Sequence, residues 1–189
     1  MTKKIKIGIT GLPGAGKTHA LRKVVEMLEL EDIKVGGMIT DAILEGGEKV
    51  GFMVQDLLTK EEGVLAHKSS PSEVRFLEYG VDIDILDNIG VMAIARSLDN
   101  ADVIVIDEVG KLEVESPNFV EVVKDALEAD KPLLLTLHKK SRNPLLQDIR
   151  RRDDVRILEV TPINKNILPY KIIPLIKEEI STRPPLDMY

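Results

Sequence analysis

Gly11-Leu12-Pro13-Gly14-Ala15-Gly16-Lys17-Thr18 sets two glycines around four free positions and follows them with a lysine and a hydroxyl, the pattern of a loop that wraps phosphate. Glycines at 11, 14 and 16 allow backbone conformations that a Cβ would obstruct, so successive N–H groups can converge on an anion. Ile5, Ile7 and Ile9 precede the loop, and Leu21, Val24, Val25 and Leu28 follow it at helical spacing. The loop therefore joins a strand to a helix start, where unpaired N–H groups and the dipole favour negative charge. The ligand these residues imply is a nucleoside triphosphate. The residues from Gly11 to Thr18 would cradle it, Lys17 would neutralise the β and γ phosphates, and the Thr18 hydroxyl would ligate Mg²⁺.

A second set of groups follows the apolar run Val103-Ile104-Val105-Ile106. Asp107 and Glu108 stand at the carboxyl end of a strand covered on both faces, where open α/β sheets bind ligands. Asp107 suits Mg²⁺, through water, and Glu108 suits a general base that orients and deprotonates an attacking water; the plainer alternative for Glu108 is a charged start to a loop. In Gly110-Lys111-Leu112-Glu113, Lys111 would touch phosphate or a carboxylate and Glu113 would orient it, unless both are solvated. Of Lys139, Lys140 and Arg142, Arg142 is the candidate for neutralising a transferring phosphoryl group, because a planar fork matches phosphate; the alternative is a solvated loop. Arg150 to Arg152 read as favourable charge at a helix end. The three histidines, His19, His67 and His138, are expected at the surface or in packing.

The elements that must position these groups alternate strand and helix. Strands are expected near residues 5–9, 35–40, 103–106, 133–137 and 155–160. Asp82 or Asp84 caps a helix with Ile85, Ile89, Met92 and Ala95 on its apolar face, Ser116-Pro117 opens another over Phe119, Val123, Ala126 and Leu127, and Asn143-Pro144 opens a third. A last helix is expected from about Asn164 to Ile180, interrupted by Pro169 and Pro174. Strand–helix alternation implies right-handed crossovers. The fold class is thus α/β, a three-layer P-loop NTPase core with a mainly parallel sheet. Residues 42–67 differ: two strands around Gly46-Gly47 and a third at 63–67 read as an antiparallel meander. Residues 75–81 read as one short strand. The whole is expected to be one domain over 1–182, with the insert at 42–67 and a flexible tail at 183–189.

Composition narrows the function classes. With 189 residues and 43% apolar content the chain can bury one substantial core. No cysteine is present, which excludes disulfides and thiolate metal sites. No apolar run is long enough to span a bilayer and the first residues do not read as a signal segment, so a cytoplasmic protein without a membrane partner is expected, acting as a monomer. A net charge of −6 with only three Tyr and three Phe weighs against nucleic acid as a partner.

Taken together, the phosphate loop, Val105-Ile106-Asp107-Glu108-Val109-Gly110-Lys111-Leu112-Glu113, Gly46-Gly47 with Gly51-Phe52, Tyr79 to Asp82, and Thr161-Pro162-Ile163-Asn164-Lys165-Asn166 resemble the cancer-related nucleoside-triphosphatase family over roughly residues 5–180. The resemblance implies a RecA-like or kinase-like core that hydrolyses ATP, GTP and other triphosphates with Mg²⁺ and little base preference. It also implies that Asn164 lies near the base; the sequence alone offers Asn164 only as a helix N-cap. The family's usual Thr-x-Glu-x-Arg segment is Thr40-Asp41-Ala42-Ile43-Leu44 here, lacking both Glu and Arg, and its Asn-Arg is Asn164-Lys165. Arg75, before Tyr79, is a further candidate contact. Three readings stand: a nucleoside-triphosphatase, a small-molecule kinase on the same loop, and a nucleotide-dependent binding module for nucleic acid or protein. With Lys49 and Lys60 as its two lysines and no arginine, the insert at 42–67 makes a poor kinase lid.

Overall fold

The computed structural model describes residues 4–181; the expected tail at 183–189 lies outside the described residues. Among the described residues nine strands form one sheet in the order β5-β6-β4-β3-β2-β7-β8-β1-β9. They are β1 (Lys6–Gly11), β2 (Val35–Glu45), β3 (Glu48–Asp56), β4 (Glu62–His67), β5 (Arg75–Phe76), β6 (Tyr79–Val81), β7 (Val103–Val109), β8 (Leu133–His138) and β9 (Val155–Glu159). Strands β2, β7, β8, β1 and β9 pair in parallel, and β3 to β6 pair antiparallel. The fold is therefore the expected α/β core with an antiparallel extension.

Period-two alternation decides which face each side chain serves. Val103 and Val105 pack toward α1 (Lys17–Glu29) and α6 (Leu168–Ser181), while Ile104 and Ile106 pack toward α3 (Met92–Asn100), α4 (Pro117–Glu128) and α5 (Pro144–Arg151). All four are fully buried, which gives three layers. Among the described residues no helix is long and apolar enough to cross a membrane.

Several local expectations change. β2 does not stop at Thr40: it runs on to Glu45 because its outer half, Met38 to Glu45, finds a new partner in β3. The antiparallel strands belong to the same sheet and continue past residue 67 to Val81, where residues 75–81 form a hairpin rather than one strand. Asp82 is the cap of α2 (Ile83–Ile85), accepting from the Ile85 N–H. A π-helical stretch, Leu86–Val91, then joins α2 to α3. Its wider turns break the 3.6-residue period, so Leu86, Ile89, Ala93 and Ile94 are buried while Met92, expected inward, is 48% exposed. α6 begins at Leu168, not near Asn164; Pro169 sits in its first turn, where a missing N–H costs nothing, and only Pro174 lies inside.

Ser116 and Asn143 cap α4 and α5 as expected, accepting from the Phe119 and Leu145 N–H groups. Both helices carry proline in the first turn.

Candidate active site

The parallel order β2-β7-β8-β1 brings the carboxyl ends of four strands to one rim. β1 feeds the loop from Leu12 to Gly16, and α1 starts at Lys17 behind it. Gly14 and Gly16 take φ of 77° and 105°, the left-handed region in which a side chain would be strained. Lys17 Nζ donates to the Gly11 carbonyl at 3.1 Å and stands 3.8 Å from Glu108 Oε2.

Asp107 is buried at the end of β7, and its carboxylate is held from three sides. Thr18 Oγ1 donates to Oδ2 at 2.9 Å, Thr136 Oγ1 donates to Oδ1 at 2.6 Å, and the Thr40 N–H donates to Oδ2 at 3.4 Å. Burial dominates over these bonds and raises its pKa to about 6, with the Glu108 charge adding to the rise. Glu108, half-buried, is also raised by burial, opposed first by Lys17 and then by Lys49. The Asp107–Glu108 peptide is cis.

Glu113 departs from its solvated alternative. It is buried, and burial together with the Glu108 charge raises its pKa well above the usual carboxylate range. Gly110 makes this packing possible, since a Cβ there would meet Glu108 Oε1 at 2.5 Å and Glu113 Oε2 at 2.8 Å. Lys111 stays exposed and lines the same recess.

A cavity of about 520 Å³ opens from the phosphate loop. Its polar lining includes Lys17, Thr18, Lys49, Glu108, Glu113 and His138, and its apolar wall includes Phe52, Leu65, Phe76, Tyr79 and Leu112. His19 is exposed, as expected, and like His138 it lines the cavity; burial, and after it the charges of Lys111 and Lys17, lower the His138 pKa. Lys49 reaches in from the β2–β3 hairpin with its Nζ 4.1 Å from the centre of the Phe52 ring, a cation–π contact.

Other sequence candidates go elsewhere. Arg142 is exposed on the β8–α5 loop and does not line the cavity. The arginine that organises that loop is Arg150, donating to the carbonyls of Ser141 at 2.8 Å and of His138, so it does more than end a helix. Arg152 pairs with Asp154 and Glu128. Arg75 donates to the Glu78 carbonyl at 2.7 Å and braces its own hairpin. Lys139 pairs with Glu159, and Asp41 pairs with Arg22. Asn164 does not cap α6. Its Oδ1 accepts from the Thr161 N–H at 2.7 Å and its Nδ2 donates to the Glu159 carbonyl at 2.9 Å, which folds the loop after β9 against the phosphate loop. There Lys165 lies over Gly16, and a second recess opens between Leu12–Ala15 and residues 159–162.

Sequence reasoning missed Thr136, Lys49, His138 and the aromatic wall as site components. Thr136 had a signal, being the one hydroxyl in an otherwise all-leucine run from 133 to 137. The others come together only because β3 to β6 are added beside β2.

The family model described as NTPase matches residues 6–173. Nucleoside-triphosphatase THEP1 of Thermoplasma volcanium is 40% identical over 175 residues, covering 93% of this chain and 98% of that protein. The crystal structure of THEP1 from the hyperthermophile Aquifex aeolicus superposes with a TM-score of 0.80 at 26% identity, over 92% of this chain and 99% of that one. The solution structure of a human cancer-related nucleoside triphosphatase gives 0.77 at 30% identity, over 97% and 100%.

Proposed function

Because the chain belongs to the NTPase family, we propose that it hydrolyses nucleoside triphosphates to the diphosphate and phosphate in the cavity around Lys17, Asp107 and Glu108. The observation that carries this reading is the 3.8 Å approach of the Glu108 carboxylate to Lys17 Nζ. A base stands beside the group that grips the terminal phosphate. Backbone N–H groups from Gly11 to Thr18 and the Lys17 ammonium hold the phosphates, and none of these contacts reads the base, which supports broad base preference. Glu108 accepts a proton from the attacking water, and burial, by raising its pKa, makes it the better base. Glu113 and Glu108 crowd the same side of Gly110.

The donor set beside Glu108 fits Mg²⁺. Thr18 Oγ1 and Asp107 Oδ2 are hard oxygen ligands 2.9 Å apart at a strand end, and a cation there would offset the burial that raises the Asp107 pKa. Thr18 and Asp107 would hold it, and it would neutralise charge on the β and γ oxygens. Thr136 and the Thr40 N–H keep Asp107 aimed at that position. Among the described residues no helix is long and apolar enough to cross a membrane, which is compatible with a cytoplasmic enzyme.

The test is free phosphate measured from ATP, GTP, CTP and UTP with Mg²⁺ and again with excess chelator. Release from all four that stops with chelator is expected; no release from any would refute the reading.

Lys49 takes the part the sequence assigned to Arg142. It lines the cavity, faces Glu108, and is held over the Phe52 ring. Lys49→Ala is expected to lower kcat by roughly 10- to 100-fold, near the lower end for losing one electrostatic contact to a transition state, with nucleotide Kd little changed and activity largely restored in Lys49→Arg. An unaltered kcat for Lys49→Ala would remove it from the chemistry.

A further inference from the structure

The larger cavity contains more than hydrolysis needs. The cavity of about 520 Å³ takes the phosphates at Gly16, Lys17 and Thr18, and it also extends past Glu108 to a wall of Phe52, Leu65, Phe76, Tyr79 and Leu112 that an attacking water has no use for. The chain has only three Phe and three Tyr, and Phe52, Phe76 and Tyr79 all meet here, with Phe52 and Tyr79 edge to face at 5.2 Å between centroids.

Direction follows from the chemistry. The attacking and leaving oxygens of a phosphoryl transfer are roughly in line, so the departing diphosphate lies on the far side of the γ-phosphorus from Glu108. Lys49 links the aromatic wall to Glu108: its charge acts on the Glu108 carboxylate and its Nζ lies 4.1 Å from the centre of the Phe52 ring, with Glu113 and Leu112 lining the same cavity. With the phosphates held at Gly16, Lys17 and Thr18, the nucleotide's own base has the second recess, about 210 Å³ between Leu12–Ala15 and residues 159–162. The wall is therefore placed to hold something that attacks, and flat rings are what aromatic walls hold well.

We propose that this wall is an acceptor subsite for a nucleoside, a flat heterocycle bearing a sugar hydroxyl, which makes the protein a phosphotransferase as well as a hydrolase. This rests on the nucleoside-triphosphate reading above. The acceptor hydroxyl oxygen forms a bond to the γ-phosphorus, and Glu108 takes its proton. The bond between the γ-phosphorus and the β–γ bridging oxygen breaks, the nucleoside diphosphate leaves with that electron pair, and the acceptor becomes a phosphomonoester. Water in the same position gives free phosphate.

The experiment supplies the protein with Mg²⁺ and ATP plus adenosine, guanosine, cytidine, uridine or thymidine, one at a time, and quantifies nucleoside monophosphate by mass spectrometry alongside free phosphate. Monophosphate is expected from at least one nucleoside. Phe76→Ala, and Leu77→Asp on the exposed tip of the same hairpin, are expected to lower the ratio of monophosphate to free phosphate by about tenfold, the scale of one lost stacking contact. Free phosphate without monophosphate from all five nucleosides would overturn the acceptor proposal and leave the hydrolase standing. Neither product would overturn both. A raised KM for ATP in both variants, with the product ratio unchanged, would assign the wall to the nucleotide's own base and overturn the proposal.

Discussion

Glu108→Gln is expected to bind nucleoside triphosphates as tightly as the parent protein while its turnover falls by about 10²- to 10⁴-fold, the usual contribution of a positioned general base. The substitution keeps shape and hydrogen-bonding capacity and removes the proton acceptor. Affinity is preserved because Lys17 and the loop amides make the phosphate contacts, and losing the negative charge 3.8 Å from Lys17 frees that ammonium for phosphate. Nucleotide titration and single-turnover phosphate release separate the two effects. Undiminished release would take Glu108 out of the mechanism, and weakened binding with unchanged turnover would make it a positioning residue for Lys17.

Lys17→Ala should act on the other half of the site. Its side chain is largely buried, with Nζ donating to the Gly11 carbonyl across the loop, so its loss removes a charge-assisted contact to phosphate and loosens the loop. Hydrogen bonds to charged groups are worth about 1.5–3 kcal/mol each, so Kd for a triphosphate should rise at least roughly tenfold, and turnover should fall with it because Lys17 also faces the γ-phosphate. Isothermal titration with a non-hydrolysable triphosphate reads the first effect. The same Kd in both proteins would overturn the assignment of this loop. A thermal melt close to that of the parent would show that the loss is local, as expected for a residue at a helix start outside both hydrophobic clusters.

The two substitutions should also be non-additive. Lys17 and Glu108 are in contact, so the double variant measures their coupling.

How much of this was legible depended on how far apart in the chain the information lay. The phosphate loop is eight consecutive residues whose types dictate their own backbone, and Asp107-Glu108 follows directly from four β-branched residues that can only be a buried strand. Caps at Ser116 and Asn143 were equally local. The apolar face of residues 83–100 was misread because a π turn breaks the period on which such readings depend. Glu113 read as ambiguous because a lone glutamate carries no mark of burial. A planar fork recommends Arg142 as a phosphate contact, but the structure leaves it exposed while Arg150 grips the Ser141 and His138 carbonyls.

By itself the sequence determined an α/β core, a phosphate grip at Gly11 to Thr18 and a metal-and-base pair at Asp107 and Glu108, because each is encoded within a few neighbouring residues by backbone preference, alternation or strand burial. Tertiary structure alone decided what faces that pair. The strand order sets β2 beside β7, and the long β2 then recruits β3 and, through it, β4 and β6. Lys49, Phe52, Phe76 and Tyr79, up to about sixty residues from the loop in the chain, thereby become walls of one cavity. Antiparallel pairing sets that register through contacts between segments, and no pattern within any one of them records it.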